Sequence, residues 1–522
     1  MSKSGGRLAS SANATLPCDA KECERDVEFF RATMISRILG TTVCTAVLAT
    51  CAGAQTIPLV EQIAGRLTAN ALKADVSFLA SDALLGRANT SPEFQIAAEF
   101  IAAQFRRAGL EPLGDEGYFQ TATFTAVTPS AEGVELTFES GSRTIVADQN
   151  GVGVANPAAF QLRNAPIMKL STVDPAVLKS MAPKDLRGKA FVGEPSDPAL
   201  HDISEKEPPP FVILLMDEPA PIFIGARVLD TPAPTSRGVP TLIVWDPVMR
   251  AALKAAKEGK VSVRIAAPTS APVRLRNVAG VLRGSDPSLK NTFVLVTAHY
   301  DHLGGRASNE GDHIYNGAND DASGTASVIE IANALASLPE KPKRSIVFMT
   351  FFGEEVGLLG SRYYSRHPLF PLAKTVAQVN LEHLGRTDGE SVPRVGQAKV
   401  LGFDYSSATD VLRDAAEEVG VQLVNDKEHS ATYYGVTDCR PLAEVGVPAV
   451  TLSIGMAPDY HLPSDEWQKQ DYDNMAKLAR AAALGVYRLA GSSEAPQWNS
   501  QNPRTQRYRQ AREEAAAGSG VK

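Results

Sequence analysis

From residue 277 onward the chain alternates short, nearly unbroken apolar runs with longer amphipathic stretches. Val278–Leu282, Phe293–Ala298, Ile346–Phe352, Val376–Leu381 and Ala449–Ile454 read as strands covered on both faces. Gly324–Leu338, Ser407–Val419 and Asp473–Leu489 read as helices; in the first, Val328, Ile331, Ala332 and Leu335 share a face. This alternation predicts an α/β fold, with a mostly parallel mixed sheet flanked by helices.

Upstream, Ser91-Pro92-Glu93 starts a further helix, with proline in its first turn. Phe94, Ala98, Ile101, Ala102 and Phe105 line one face of it, and Gly109 ends it. The middle of the chain differs. Val134–Phe138, Phe191–Val192, Phe211–Met216 and Thr241–Trp245 are short β-rich runs between proline-rich loops, and Pro247–Glu258 reads as one short helix. The predicted layout is therefore an N-terminal extension with signal (1–54), a first part of the main domain (55–124), an inserted β-rich domain (125–272), the main α/β domain (273–490) and a tail (491–522). The tail is rich in Gln, Arg, Ser, Ala and Gly, with an isolated Trp498, and is expected to be disordered.

Composition narrows the picture modestly. Hydrophobic residues at 44% and charged residues at 21% are globular values, and 522 residues suit two or three domains. A net charge of −7 gives no basis for a nucleic-acid or anionic-membrane partner. Arg37, the apolar run Ile38–Cys51 and Ala52-Gly53-Ala54 compose a signal peptide from Met34 to Ala54, with the mature chain starting at Gln55. The run is short for a membrane span. Removal of the signal would leave Cys439 as the single cysteine, so no intramolecular disulfide could form. The expectation is an exported protein, periplasmic or extracellular, that leaves the membrane once its signal is removed.

Candidate chemistry gathers where the apolar runs end. His299-Tyr300-Asp301 closes the second strand, and Asp301 has the spacing to fix the imidazole tautomer. Asp320 and Asp321 precede a Ser-Gly helix start; adjacent carboxylates repel unless a cation sits there. Glu354-Glu355 follows IVFMTFFG, and one of the pair could remain a general base while the other binds metal. Glu382 ends a further strand, and His461 lies in a loop with Asp465 four residues on, which could orient it. Taken singly, each fits a solvated loop residue or a helix cap. Together they form an N/O donor set at four strand ends, where open α/β sheets build their sites. Such a set suits zinc, with manganese or cobalt as further options. Of the other histidines, His302, His313, His367, His383 and His429 read as structural or peripheral, apart from a place for His383 or His429 in a substrate pocket.

The motifs HYDHLG, NGANDDASG, FFGEEVGLLGS, NLEHLG and DYHLPSD resemble those of the bacterial and vacuolar di-zinc aminopeptidases, a family related to glutamate carboxypeptidase and the transferrin receptor. LASDALLGR, NVAGVLRGSDP and TDCRPLAEVGVPAV extend the likeness, and DLRGKAFVGEP with GVPTLIVWD is similar to a protease-associated domain. The resemblance implies two zinc ions bridged by Asp320, with His299 and Glu382 on one side and Glu355 and His461 on the other. It implies Glu354 as general base, Asp301 as orienting acid and Tyr460 as a stabiliser of the oxyanion. The family commonly has Asp at the position of Glu382. The implied activity is removal of N-terminal residues from peptides with a free N-terminus. Alternatives are a metallo-carboxypeptidase or dipeptidase of the same family, then a glutaminyl cyclase or an inactive binding module. Oligomeric state is not implied.

Overall fold

The chain was examined as a computed structural model, which describes residues 58–129, 133–155, 158–200, 210–217, 227–229, 241–305, 311–388 and 394–518. The predicted signal peptide lies outside the described residues. Among the described residues no helix is long and apolar enough to cross a membrane.

The apolar runs form the middle of a ten-stranded mixed sheet. Ala449–Ser453, Thr375–Leu381, Phe293–His299 and Ser345–Phe351 lie side by side and parallel. Every residue of these four strands is buried, as expected when helices cover both faces. On one side Gln397–Leu401 pairs antiparallel with Ala449–Ser453, and Gln422–Val424 adds parallel to it. On the other, Thr269–Leu282 runs antiparallel to Ser345–Phe351. Helix Ser323–Ala336 is buried along nearly its whole length. Helix Tyr472–Gly491 packs against it and against Ala408–Glu418. Helix Pro92–Arg107 starts as predicted: the Ser91 side chain accepts from Phe94 N–H, and Phe94, Ala98, Ile101, Ala102 and Phe105 face the core.

The middle block carries its own eight-stranded sheet and its own buried clusters. It is more mixed than the expected β-rich domain. Phe160–Lys169, Ala190–Gly193, Phe211–Leu215 and Thr241–Val244 run parallel, with helices such as Pro247–Ala255 between or after them. Its two chain connections to the main sheet form one antiparallel ribbon, Phe119–Thr128 paired with Thr269–Val278, in which Thr128 faces Thr269. Arg227–Leu229 of the block adds antiparallel to Phe119–Thr128 at the sheet edge. The expected boundaries at 125 and 272 fall inside this ribbon. Its exposed residues and Pro272 hide it from a search for buried runs.

The expected disordered tail is a correction. Residues 506–518 form a helix. Trp498 is buried, donates Nε1–H to the Gly446 carbonyl at 3.0 Å and stacks on Tyr508. Composition reads this segment as polar because few anchors hold it, and those few are aromatic.

Candidate active site

Four adjacent parallel strands deliver the chemical residues to one edge of the sheet. His299 ends Phe293–His299, Glu354 and Glu355 follow Ser345–Phe351, Glu382 follows Thr375–Leu381, and His461 lies in the loop beyond Ala449–Ser453. Asp320 sits in the turn before helix Ser323–Ala336. The site thus occupies the carboxyl edge that α/β sheets use.

Asp320 is the hub. Its Oδ1 lies 3.2 Å from His299 Nε2 and 3.3 Å from His383 Nε2. Its Oδ2 lies 3.3 Å from His461 Nε2 and 3.9 Å from His302 Nδ1. Glu355 approaches His461 Nε2 at 3.1 Å through Oε2 and His302 Nδ1 at 2.7 Å through Oε1. Glu382 Oε1 is 3.7 Å from His383 Nε2. The five predicted metal ligands therefore converge around one carboxylate, and His302 and His383 join them.

Hydrogen bonds from several directions hold this arrangement. Asp301 Oδ1 faces His299 Nδ1 at 3.6 Å, and Asp301 Oδ2 accepts from Asn89 Nδ2 at 2.8 Å. Asp321 Oδ1 accepts from the N–H groups of Gly324 at 2.9 Å and His383 at 3.2 Å, tying the Asp320 turn to the Glu382 loop. Gly324 must lack a side chain, because a Cβ there would lie 2.2 Å from the Leu381 carbonyl. Asp465 departs from expectation. Instead of orienting His461, it accepts from the backbone N–H groups of Asn319 at 3.0 Å and Asp320 at 3.1 Å. His383 and His461 both take positive φ, 56° and 58°. Such strain in non-glycine residues concentrates at functional sites.

Residues 277–486 match the profile of Peptidase family M28. The chain carries a peptidase M28 domain. Aminopeptidase YwaD of Bacillus subtilis (strain 168) is 28% identical over 211 residues, covering 39% of this chain and 42% of that protein. A probable zinc metalloprotease of Pyrenophora teres f. teres (strain 0-1) is 28% identical over 245 residues, 43% of this chain and 50% of that protein. The chain thus spans half or less of the length of these curated relatives. Among solved structures, the aminopeptidase from Aneurinibacillus sp. strain AM-1 superposes with a TM-score of 0.60 at 20% identity, over 84% of this chain and 97% of that one. BSAP, a zinc aminopeptidase from Bacillus subtilis, gives 0.59 at 20% identity, over 82% and 97%. These likenesses establish the fold.

The zinc that the M28 family implies fits the donors present. His299 Nε2, His302 Nδ1, Glu355 Oε1 and His461 Nε2 are buried without a hydrogen-bond partner. Orphaned buried polar atoms are costly unless something else satisfies them, and imidazole with carboxylate is a zinc donor set. The charges respond to one another strongly. Burial opposes ionisation of Asp320, yet His383, His299 and His461 outweigh it and hold the carboxyl well below its usual range. Burial and Asp320 push Glu355 up, but His302 and His461 bring it down to about 2. Glu354 goes the other way: burial, then Glu382 and Glu355, push it well above the usual range against the pull of His299.

Glu354 is half-buried and opens into a pocket of about 340 Å³. Glu382, His383, His429, Tyr433, Tyr460 and His461 also line it. Tyr460 stacks on His461 with ring centroids 3.8 Å apart. Sequence reasoning set His302 aside as peripheral, although it lies three residues past His299 on the same loop. It gave no role to Arg87. That guanidinium is fully buried and donates to the carbonyls of Leu79, Tyr300, Asn316 and Gly317, joining the His299 and Asp320 loops. Its one signal was an arginine directly after Gly86.

Proposed function

We propose that this protein is an exported zinc aminopeptidase that hydrolyses the first peptide bond of peptides with a free N-terminus. One observation carries the reading: His299, Asp320, Glu355, Glu382 and His461 converge, and half-buried Glu354 faces the pocket beside them. His299 and Glu382 would hold one ion and Glu355 and His461 the other, with Asp320 shared. When bound, paired zinc ions supply Lewis acidity and an acidified water.

Glu354 does the proton work. Burial and the neighbouring carboxylates raise its pKa above the ordinary carboxylate range, the direction that helps a base hold the proton it takes. It takes a proton from the water as the oxygen bonds to the scissile carbonyl carbon. It returns that proton to the departing nitrogen as the C–N bond breaks. Tyr460 keeps its proton, because burial and the surrounding carboxylates push its phenol above the usual range. The hydroxyl would therefore donate towards the developing oxyanion. The cluster of carboxylates would attract a substrate ammonium. Asp301 would keep His299 in the tautomer that leaves Nε2 free to bind metal.

The same reading takes Met34–Ala54 as the export signal and the middle block as a protease-associated domain. Arg362 and Arg440 at the pocket favour a second reading, a carboxypeptidase or dipeptidase that holds a substrate carboxylate. Arg440 is already engaged by Glu444 and the Gly435 carbonyl. A panel of free, N-acetylated and dipeptide substrates, with and without chelator, separates these. Chelator-sensitive cleavage confined to free-amine substrates is the expected result. Cleavage of N-acylated substrates from the C-terminus would replace it with the second reading.

A further inference from the structure

We infer that His302 is itself a metal ligand on the Glu355 side, beyond the five residues assigned above. The inference rests on the zinc reading of the site. His302, Asp320 and Glu355 each offer a donor atom, and the three atoms lie within 4.8 Å of one another. Donors roughly 2.0–2.2 Å from one zinc lie about 3–4 Å apart. The 3.9 Å from His302 Nδ1 to Asp320 Oδ2 falls in that range, and the 2.7 Å to Glu355 Oε1 would open by roughly half an ångström around an ion. Glu355 presents Oε1 to His302 Nδ1 and Oε2 to His461 Nε2, so the carboxylate lies between two imidazoles. The rings of His302 and His461 meet edge to face with centroids 5.8 Å apart.

The 2.7 Å approach of His302 Nδ1 to Glu355 Oε1 lacks hydrogen-bond geometry, and both atoms remain without a partner. Two close, buried, mutually misdirected donors are what a shared third atom would satisfy. Nε2 has no protein partner under either reading and does not discriminate. The ring is also clamped. A Cβ on Gly317 would lie 2.5 Å from His302 Cγ, so only glycine leaves the ring its place. His302 N–H donates to the Arg87 carbonyl at 3.3 Å, while the Arg87 guanidinium holds the Gly317 carbonyl at 3.0 Å. His383, in contrast, lines the pocket where substrate would lie; His302 does not. An added neutral imidazole raises the site's preference for zinc or cobalt over manganese.

The alternative is that His302 only orients Glu355. The test is His302→Asn in the full chain, with zinc counted by mass spectrometry, affinity measured against a chromophoric chelator, and imidazoles counted by zinc-edge X-ray absorption. The expected result is loss of affinity for one ion by more than ~100-fold, beyond the roughly 10–100-fold seen when an orienting partner is lost, and one imidazole fewer. Unchanged affinity overturns the inference. A weaker affinity with an unchanged imidazole count also overturns it, in favour of orientation. Should H302N fail to fold, X-ray absorption on the unmutated zinc protein decides. Scattering from His299, His302 and His461 together supports the inference, and scattering that fits only His299 and His461 overturns it. A zinc protein with His302 coordinated but no peptidase activity would remove the proposed function and leave this inference standing. An active enzyme with His302 uncoordinated would do the reverse.

Discussion

The Glu354 backbone N–H donates to Asp301 Oδ1 at 3.1 Å, and that same oxygen faces His299 Nδ1. The Asp301 backbone carbonyl lies 3.3 Å from the same His299 nitrogen, so one residue holds both an imidazole proposed to bind metal and the segment carrying the proposed base. Asp301→Ala removes the carboxylate that holds the Glu354 N–H and faces His299, and keeps the backbone carbonyl at His299 Nδ1. We expect zinc affinity to fall ~10–100-fold, the usual effect of losing an orienting carboxylate, with kcat falling as well. Asp301→Asn keeps an acceptor and should lose less. Equal zinc affinity in D301A and the parent would show that His299 needs no such support.

The proposed function makes Glu354 separable from metal binding. Glu354→Gln keeps the size and removes the base, so kcat should drop by about 10²–10⁴-fold. Zinc content should stay at the parent value. Turnover near that of the parent would refute the role assigned to this residue.

Arg87 tests whether the site depends on its scaffold. Arg87→Met would leave the Leu79, Tyr300 and Asn316 carbonyls without their Arg87 donor in a buried place, while the Gly317 carbonyl keeps the Ala322 N–H. Unsatisfied buried acceptors cost on the order of 1–3 kcal/mol each, so destabilisation of at least ~3 kcal/mol is expected in denaturant unfolding of the metal-free protein. Arg87→Lys should recover only part, because an ammonium cannot reproduce the planar fork. A parent-like midpoint for R87M would show that these carbonyls find other donors.

Asp75 provides a pH signature away from the metal site. Burial, then Glu330, raise its pKa to about 8 from the ordinary 3.8. Between those values the folded protein keeps a proton that the unfolded chain has released. The Asp75 contribution to stability therefore falls as pH rises from about 4 to about 8. Asp75→Asn mimics the protonated form. It should leave Tm unchanged near pH 4 and raise it increasingly towards pH 8. A constant difference across that range would locate the proton elsewhere.

Metal removal should act on stability as well as turnover. Ligands that bind only the folded state stabilise it by mass action. Chelator should therefore abolish cleavage and lower Tm together, and added zinc should restore both. A fall in activity with no change in Tm would place the chelated ion outside the folded core.

The elements legible in advance are those whose signal is local. Ser345–Phe351 is largely apolar with two acids shortly beyond it, at 354 and 355, and it appears within a residue of its expected bounds. The five candidate ligands were legible because His299, Glu355 and Glu382 follow such runs closely and Asp320 and His461 lie in the polar loops between these runs and the next helices. His302 was not, since nothing in sequence tells an imidazole packed on Gly317 from one in a solvated loop. Arg87 was hidden for a related reason. Its partners are backbone carbonyls supplied from residues 79, 300, 316 and 317, which only the fold assembles. Trp498 has its partner at Gly446, across the domain, so composition alone read its surroundings as loose.

The pairing of Phe119–Thr128 with Thr269–Val278 makes these segments the two arms of a long hairpin whose turn has been exchanged for residues 129–268. Its last paired residues, Thr128 and Thr269, are already neighbours. Closing them with a two-residue turn would need almost no rearrangement of the arms. The middle block also lends Arg227–Leu229 to the edge of the first arm, so an exchange of the block would take that edge strand with it, while the inner strands that lead to the proposed metal ligands would keep their register.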